Sequence, residues 1–168
     1  MMNADEVLRA QLLALLQGRG AHMTFDEAVA DFPMEHINTR PPGVPYTLWH
    51  LLEHLRIAQR DILDFVREPG YEEPRWPDDY WPPQDATADQ AAWERTIAAF
   101  REDLAAVQAL ASDAGNDLTA PLPYDRGYSL LREVLLVADH NAYHLGALVT
   151  LRRALEAARD AAAGGGGA

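Results

Sequence analysis

The chain has 168 residues, of which 48% are hydrophobic and 24% are charged, and this composition is typical of one globular domain. It carries 26 acidic and 14 basic side chains, so its formal charge is -12. Because a strongly negative surface repels phosphate backbones, we expect no nucleic-acid partner. The sequence contains no cysteine, which excludes disulfides, thiolate metal ligands and a cysteine nucleophile.

The sequence leads us to expect neither a membrane span nor a signal peptide. No apolar run approaches the roughly 20 residues that a membrane span requires, so we expect no membrane partner. The segment 1–17 has no basic start and carries Asp5 and Glu6, unlike a signal peptide. These features predict a cytoplasmic location. We expect a single domain over residues 1–160, followed by a disordered Ala/Gly tail over residues 161–168.

Helical periodicity begins close to the N-terminus. A first long helix is expected over residues 4–17, since its leucines fall on one stripe and glycines follow. A short helix is expected over residues 24–31, because Thr24 and Glu27 have the spacing of a capping box and Pro33 follows. The periodicity of this part therefore favours helices over strands.

Three further long helices are predicted, over residues 47–67, 87–111 and 129–159. Thr87 and Gln90 have capping-box spacing at the start of the third long helix. Four long helices with loops of moderate length predict an all-α fold, a four-helix bundle.

A proline-rich segment, residues 68–85, connects the second and third long helices and contains Trp76, Tyr80 and Trp81. A connection of this length without regular structure is often functional. Its aromatic side chains would either line a pocket or cap one end of the bundle, and the sequence leaves both interpretations open.

Four of the six histidines form two HxxxH pairs, one on the second long helix and one on the fourth. The pairs are His50 with His54 and His140 with His144. Residues four apart on a helix point in similar directions, so one pair can bind a metal ion and a facing helix can supply a third imidazole. The alternative is a hydrogen-bonded polar seam in the core.

Positions around the helix axis favour three of these four histidines as metal ligands. His54 lies on the flank of an apolar arc, whereas His50 lies about 40° further towards solvent. His140 and His144 lie together on one flank of the last helix, with His140 further out. We therefore predict a metal site formed by His54, His140 and His144, with His50 as a reserve ligand or supporting group.

Other polar residues near these histidines are candidates for supporting roles. Glu53, Asp139 and His50 are candidate general bases, and solvated helix faces are the alternative for the two carboxylates. Asn141 falls near the centre of an apolar arc, where an unpaired amide is costly. It is expected to orient a ligating histidine or to bind substrate.

Two segments that contain the HxxxH pairs resemble helices of a known protein family. PYTLWHLLEHLRIAQRDILDF, residues 45–65, is similar to the second helix of the DinB/YfiT-like superfamily. ADHNAYHLGALVTLRRAL, residues 138–155, is similar to the helix that carries the HxxxH motif of that family. The resemblance covers most of residues 4–159, including the proline-rich aromatic connection.

The resemblance implies a dimeric, metal-binding four-helix bundle whose ligands correspond to His54, His140 and His144. The implied metal is one divalent ion, with nickel, zinc, iron and manganese all compatible. Some branches of the family resemble transferases or isomerases that use a low-molecular-weight thiol, so such a thiol is a further expected cofactor.

The sequence therefore suggests two kinds of function, and a structural bundle that binds no metal is a further alternative. The first is a metal-dependent enzyme, a thiol-dependent transferase or a hydrolase that acts on a small molecule. The second is a non-catalytic, stress-related helical module that binds a metal or a ligand. A fourth protein ligand such as His50 would favour the second hypothesis, whereas an open coordination position beside a pocket would favour the first.

Overall fold

The structure, a computed structural model, describes residues 2–123 and 127–164. It contains five α-helices in these ranges, namely α1 (Ala4–Leu16), α2 (Phe25–Val29), α3 (Leu48–Arg67), α4 (Gln90–Ser112) and α5 (Leu130–Gly164). Two short 3-10 helices, Met34–His36 and Asp78–Tyr80, lie in the connections. No strand occurs in the described ranges beyond an isolated bridge between Pro121 and Ser129. The predicted all-α fold is confirmed.

The helices begin where a side chain can accept hydrogen bonds from the free N–H groups of the first turn. Thr24 and Glu27 form the predicted capping box at the start of α2. The prediction for α4 was wrong, because its N-cap is Asp89, whose carboxylate accepts from the Ala92 N–H, and not Thr87. Asp89 lies two residues nearer the helix and so replaces the capping box expected at Thr87.

The last helix is longer than expected. α5 has 35 residues and continues to Gly164, five residues past the predicted end. Alanines, which have the highest helix propensity, extend it through the first part of the segment expected to be a tail. Residues 165–168 of that segment lie outside the described residues.

α3 packs between α4 and α5, while α1 contacts α4 and α5. One apolar cluster joins the C-terminal half of α3 to the start of α5, through Leu63 and Val134. A second joins the start of α3 to the middle of α5, through Leu51 and Leu148. α3 and α5 therefore run antiparallel, and the polar residues between their two apolar halves face each other.

None of the described helices is both long enough and apolar enough to span a membrane.

Candidate metal centre

Three histidines from two helices converge on one point. His54 of α3 and His140 and His144 of α5 each offer a nitrogen atom, and these atoms all lie within 4.8 Å of one another. The Nε2 atom of His54 lies 3.2 Å from Nε2 of His140 and 3.2 Å from Nε2 of His144. We call these three residues the histidine cluster.

The spacing in the histidine cluster fits a single divalent ion. Metal–imidazole bonds of about 2.0–2.1 Å place ligand nitrogens about 2.8–3.4 Å apart, for angles between octahedral and tetrahedral. The observed distances of 3.2 Å fall within this range. Two of the three nitrogen separations therefore already suit a shared ion, and the third is at most 4.8 Å.

His54 is held with one nitrogen turned towards the other two histidines. Its Nδ1–H donates to the carbonyl oxygen of Tyr80 at 2.7 Å, which leaves the Nε2 lone pair free for a metal. Trp81 stacks on the imidazole face, with ring centroids 3.9 Å apart and planes inclined by 3°. The aromatic connection before α4 thus fixes both the tautomer and the ring plane of this histidine.

Burial keeps the three imidazoles neutral near pH 7. Burial is the main cause that lowers the pKa of His140 to about 4 and that of His144 to about 4. Repulsion between neighbouring imidazoles lowers both pKa values further. The pKa of His54 is also lowered by burial, although its bond to Tyr80 acts in the opposite direction. Neutral imidazole is the form that binds metals.

A pocket of about 410 Å³ adjoins the histidine cluster, and all three histidines contribute to its wall. Its other lining residues combine apolar and aromatic side chains with a few charged ones: Ala58, Asp61, Ile62, Phe65, Tyr71, Glu73, Trp76, Tyr80, Tyr128, Arg132, Glu133 and Leu136. A pocket of this size and mixed character is typical of small-molecule sites.

The pocket contains a hydrogen-bonded group that the sequence analysis missed. Asp61 of α3 accepts from the phenol hydroxyls of Tyr71 at 2.6 Å and Tyr80 at 2.8 Å. Burial and this carboxylate raise the pKa of Tyr80 to about 12, so its hydroxyl stays protonated. A helical signal could have indicated Asp61, since it lies seven residues after His54 and therefore on nearly the same face.

Two more charged residues of the pocket also escaped the sequence analysis. Glu133 is 2% exposed and accepts from Arg132 at 2.6 Å. The Arg132 guanidinium also lies over the ring of Tyr128, 4.2 Å from its centroid. Glu133 lies seven residues, or about two helical turns, before His140, so it lies on nearly the same face of α5 as that histidine.

The proline-rich connection supplies aromatic side chains to the pocket and to His54. Trp76, which is 72% exposed, and buried Tyr80 line the pocket, while Trp81 stacks on His54 instead. Of the two interpretations that the sequence left open, the structure thus favours a pocket wall.

His50 lies apart from the histidine cluster, and the expectation that it points towards solvent was wrong. It is 3% exposed, and its Nδ1 accepts from the backbone N–H of Thr47 at 3.2 Å. Its Nε2–H donates to the carbonyl oxygen of Pro83 at 3.0 Å. Both ring nitrogens are therefore engaged at the N-terminus of α3, where the imidazole completes a capping box.

The two carboxylates considered as general bases lie away from the pocket. Glu53 accepts from Arg56 at 2.6 Å and from the hydroxyl of Thr96 on α4 at 2.7 Å. Asp139 is exposed on α5. Among the described residues, the carboxylates that line the pocket are Asp61, Glu73 and Glu133.

Asn141 is half-buried, although its position in the apolar arc predicts a more interior place. Its Nδ2–H donates to the side-chain oxygen of Gln59 on α3 at 2.8 Å. It does not line the pocket beside the histidine cluster.

Comparison with known proteins adds a family to this geometry. Residues 17–148 match the model of the DinB superfamily. No curated protein and no solved structure gave a significant match to the chain. The family match covers α2, α3 and α4 and reaches α5 beyond His144, so it includes the whole histidine cluster. The chain belongs to the DinB superfamily.

Proposed function

We propose that this chain is a metal-dependent enzyme that binds one divalent ion through His54, His140 and His144. Its substrate would be a small molecule held in the adjoining pocket. The observation that carries the proposal is the shared wall, because the histidines whose nitrogens converge also line a pocket of about 410 Å³. A ligand in that pocket would lie beside the ion.

The number of ligands supports an open coordination position. Among the described residues, the group of possible metal ligands at this point contains three members. His50, the reserve candidate for a fourth ligand, uses both ring nitrogens elsewhere. Three protein ligands with a free position are typical of catalytic metal sites, whereas structural sites are closed by four.

The chemistry of the pocket supports a reaction of the transferase or hydrolase type. A bound divalent ion would act as a Lewis acid and would lower the pKa of a water molecule or a low-molecular-weight thiol. The aromatic and aliphatic lining would hold the body of the substrate and limit access of solvent. The family resemblance supports the thiol-dependent version and a homodimer as the working form, and we propose that this form works in the cytoplasm.

The first test is the metal content of the purified, untagged chain after loading with zinc, nickel, iron or manganese. We expect about one equivalent of ion in the wild type and less than about one-tenth in His144→Ala. His22→Ala is the matched control, because His22 is exposed and bonded to the Met23 carbonyl. Full metal retention in His144→Ala would overturn the assignment of the ligands.

The second test is catalysis by the metal-loaded chain. Electrophilic acceptors and simple esters would be offered with and without small thiols, and product formation compared between the wild type and His144→Ala. We expect turnover that requires both the ion and His144. Stoichiometric metal without turnover in any of these assays would favour the non-catalytic, ligand-binding alternative.

A further inference from the structure

A chain of side-chain amides connects the backbone of α4 to the region of the histidine cluster. Gln59 of α3 is 0% exposed and its Nε2–H donates to the Phe100 carbonyl oxygen at 2.8 Å. Its oxygen accepts from Nδ2 of Asn141 on α5 at 2.8 Å. The bundle thus contains a continuous polar connection between its two apolar halves.

The direction of this connection follows from its first member. A main-chain carbonyl can only accept, so the amide nitrogen of Gln59 must face Phe100 and its oxygen must face Asn141. That oxygen also can only accept, so Asn141 must present its nitrogen to Gln59. The Asn141 oxygen is consequently directed away from Gln59 and is available to a donor elsewhere.

Two buried polar atoms beside this connection have no hydrogen-bond partner within the described ranges: Oδ1 of Asn141 and Nδ1 of His140. They belong to adjacent residues, and one is an acceptor while the other can donate. Because unpaired buried polar atoms are costly, a hydrogen bond between this donor and this acceptor would be favourable. The neighbouring Asn141 side chain also acts to raise the pKa of His140, against the larger lowering caused by burial.

We propose that Asn141, oriented by Gln59, accepts the Nδ1–H of His140 and thereby holds this histidine in the tautomer that binds metal through Nε2. Asn141 and Gln59 are then positioning residues, which act on the ion through His140. This inference rests on the proposed function, because the tautomer matters only where His140 is a ligand. Acceptors of this kind orient most metal-bound histidines.

The two α5 histidines differ in whether a neighbouring side chain can accept a hydrogen bond from Nδ1. His144 is followed by Leu145, and its Nδ1 is likewise buried without a partner among the described residues. His54 uses the carbonyl oxygen of Tyr80 as its acceptor. Side-chain substitution can therefore remove the proposed acceptor of His140, whereas that of His54 belongs to the backbone.

The experiment measures zinc affinity by competition with a chromophoric chelator, alongside urea unfolding of each variant. Asn141→Leu removes the acceptor, and we expect zinc to bind about tenfold to a hundredfold more weakly. Asn141→Asp keeps an acceptor but loses the donor to Gln59, so we expect lower stability with affinity close to wild type. A purely structural role would instead make both variants lose affinity in step with stability.

Matched variants separate the possible outcomes. Thr96→Val removes a different, partly buried hydrogen bond, to Glu53, and should leave zinc affinity unchanged. Gln59→Leu, the second variant if Asn141→Leu does not fold, should weaken zinc binding by freeing the Asn141 amide to rotate. If Asn141→Leu or Gln59→Leu folds and binds zinc as tightly as the wild type, the inference is overturned while the proposed function stands. Absence of zinc binding by the wild type would overturn the proposed function and the inference together.

A spectroscopic readout reports on the tautomer directly. In the zinc-loaded chain labelled with ¹⁵N-histidine, the Nδ1–H proton of His140 should exchange slowly with solvent. We expect fast exchange of this proton in Asn141→Leu and slow exchange in Asn141→Asp, with the signal of His54 unchanged. Equal exchange of the His140 proton in all three proteins would contradict the proposed bond.

Discussion

The two HxxxH pairs have the same spacing but different surroundings. On α5, His140 and His144 turn their Nε2 atoms towards one point, as the spacing predicts. On α3, His54 joins them, whereas His50 turns to Thr47 and Pro83. Spacing therefore makes a shared ligand site geometrically available, and the neighbouring backbone decides whether each histidine takes part.

The position along the helix explains the difference. His50 is the third residue of α3, where the backbone N–H groups have no helical acceptor, and its Nδ1 supplies one. His54 lies one turn further in, where the backbone groups are already paired. The α5 pair lies more than two turns from either end of a 35-residue helix, so neither imidazole meets free N–H groups.

The largest expected effect separates the two members of the α3 pair. His54→Ala removes one of three metal ligands, so we expect zinc affinity to fall by about a hundredfold or more. His50→Gln should keep the wild-type affinity, because His50 contacts Thr47 and Pro83 and not the cluster. Competition with a chromophoric chelator measures both. Equal losses in the two variants would mean that the α3 pair acts as a unit.

Zinc should also stabilise the folded chain. A ligand present at 100 times its dissociation constant raises the free energy of unfolding by about 2.7 kcal/mol when it binds only the folded state. We expect this increase in the wild type and in His50→Gln, and almost none in His144→Ala. Urea unfolding with and without zinc measures the difference. A comparable increase in His144→Ala would show that zinc binds elsewhere.

A smaller effect is expected from the capping role of His50. His50→Ala leaves the Thr47 N–H and the Pro83 carbonyl without their partner, so we expect the metal-free chain to lose about 1–3 kcal/mol of stability. Glutamine is a common residue at this position of a capping box, so His50→Gln should lose less. Equal losses in chemical denaturation would argue against the capping role.

The helices and the three candidate ligands could be predicted from the sequence, since helix periodicity and HxxxH spacing are local properties. The bounds of α1 and α3 lie within one residue of the prediction, and the three predicted ligands converge. The capping role of His50 was also accessible, because Thr47 and His50 have capping-box spacing. It was overlooked because glutamate and glutamine, and not histidine, are the usual residues there.

The remaining features depend on contacts between distant segments. The carbonyl that holds His54 belongs to Tyr80, 26 residues along the chain, and its position follows from the path of a proline-rich connection. The bonds from Tyr71 and Tyr80 to Asp61 depend on the same path. Helical periodicity says nothing about such a path, so the wall of the pocket could not be predicted in detail.

A pH dependence is also expected for the stability of the metal-free chain. His140 and His144 have pKa values of about 4 when folded, compared with an ordinary value of 6.5. Between these values the unfolded state binds more protons, so the free energy of unfolding should fall as the pH falls from about 6.5 to about 4. Below about pH 4 both states are protonated at these groups, and their contribution should become constant.

His144→Ala sharpens this prediction because it removes one of the two titrating groups. We expect a shallower fall of stability with pH in the variant than in the wild type, both measured by urea unfolding in the presence of a chelator. The same slope in both proteins would mean that protonation elsewhere governs the acid response. Because buried imidazoles without a metal resist protonation and a metal requires them neutral, a shallower slope would link the acid sensitivity of the fold to the residues proposed to bind the ion.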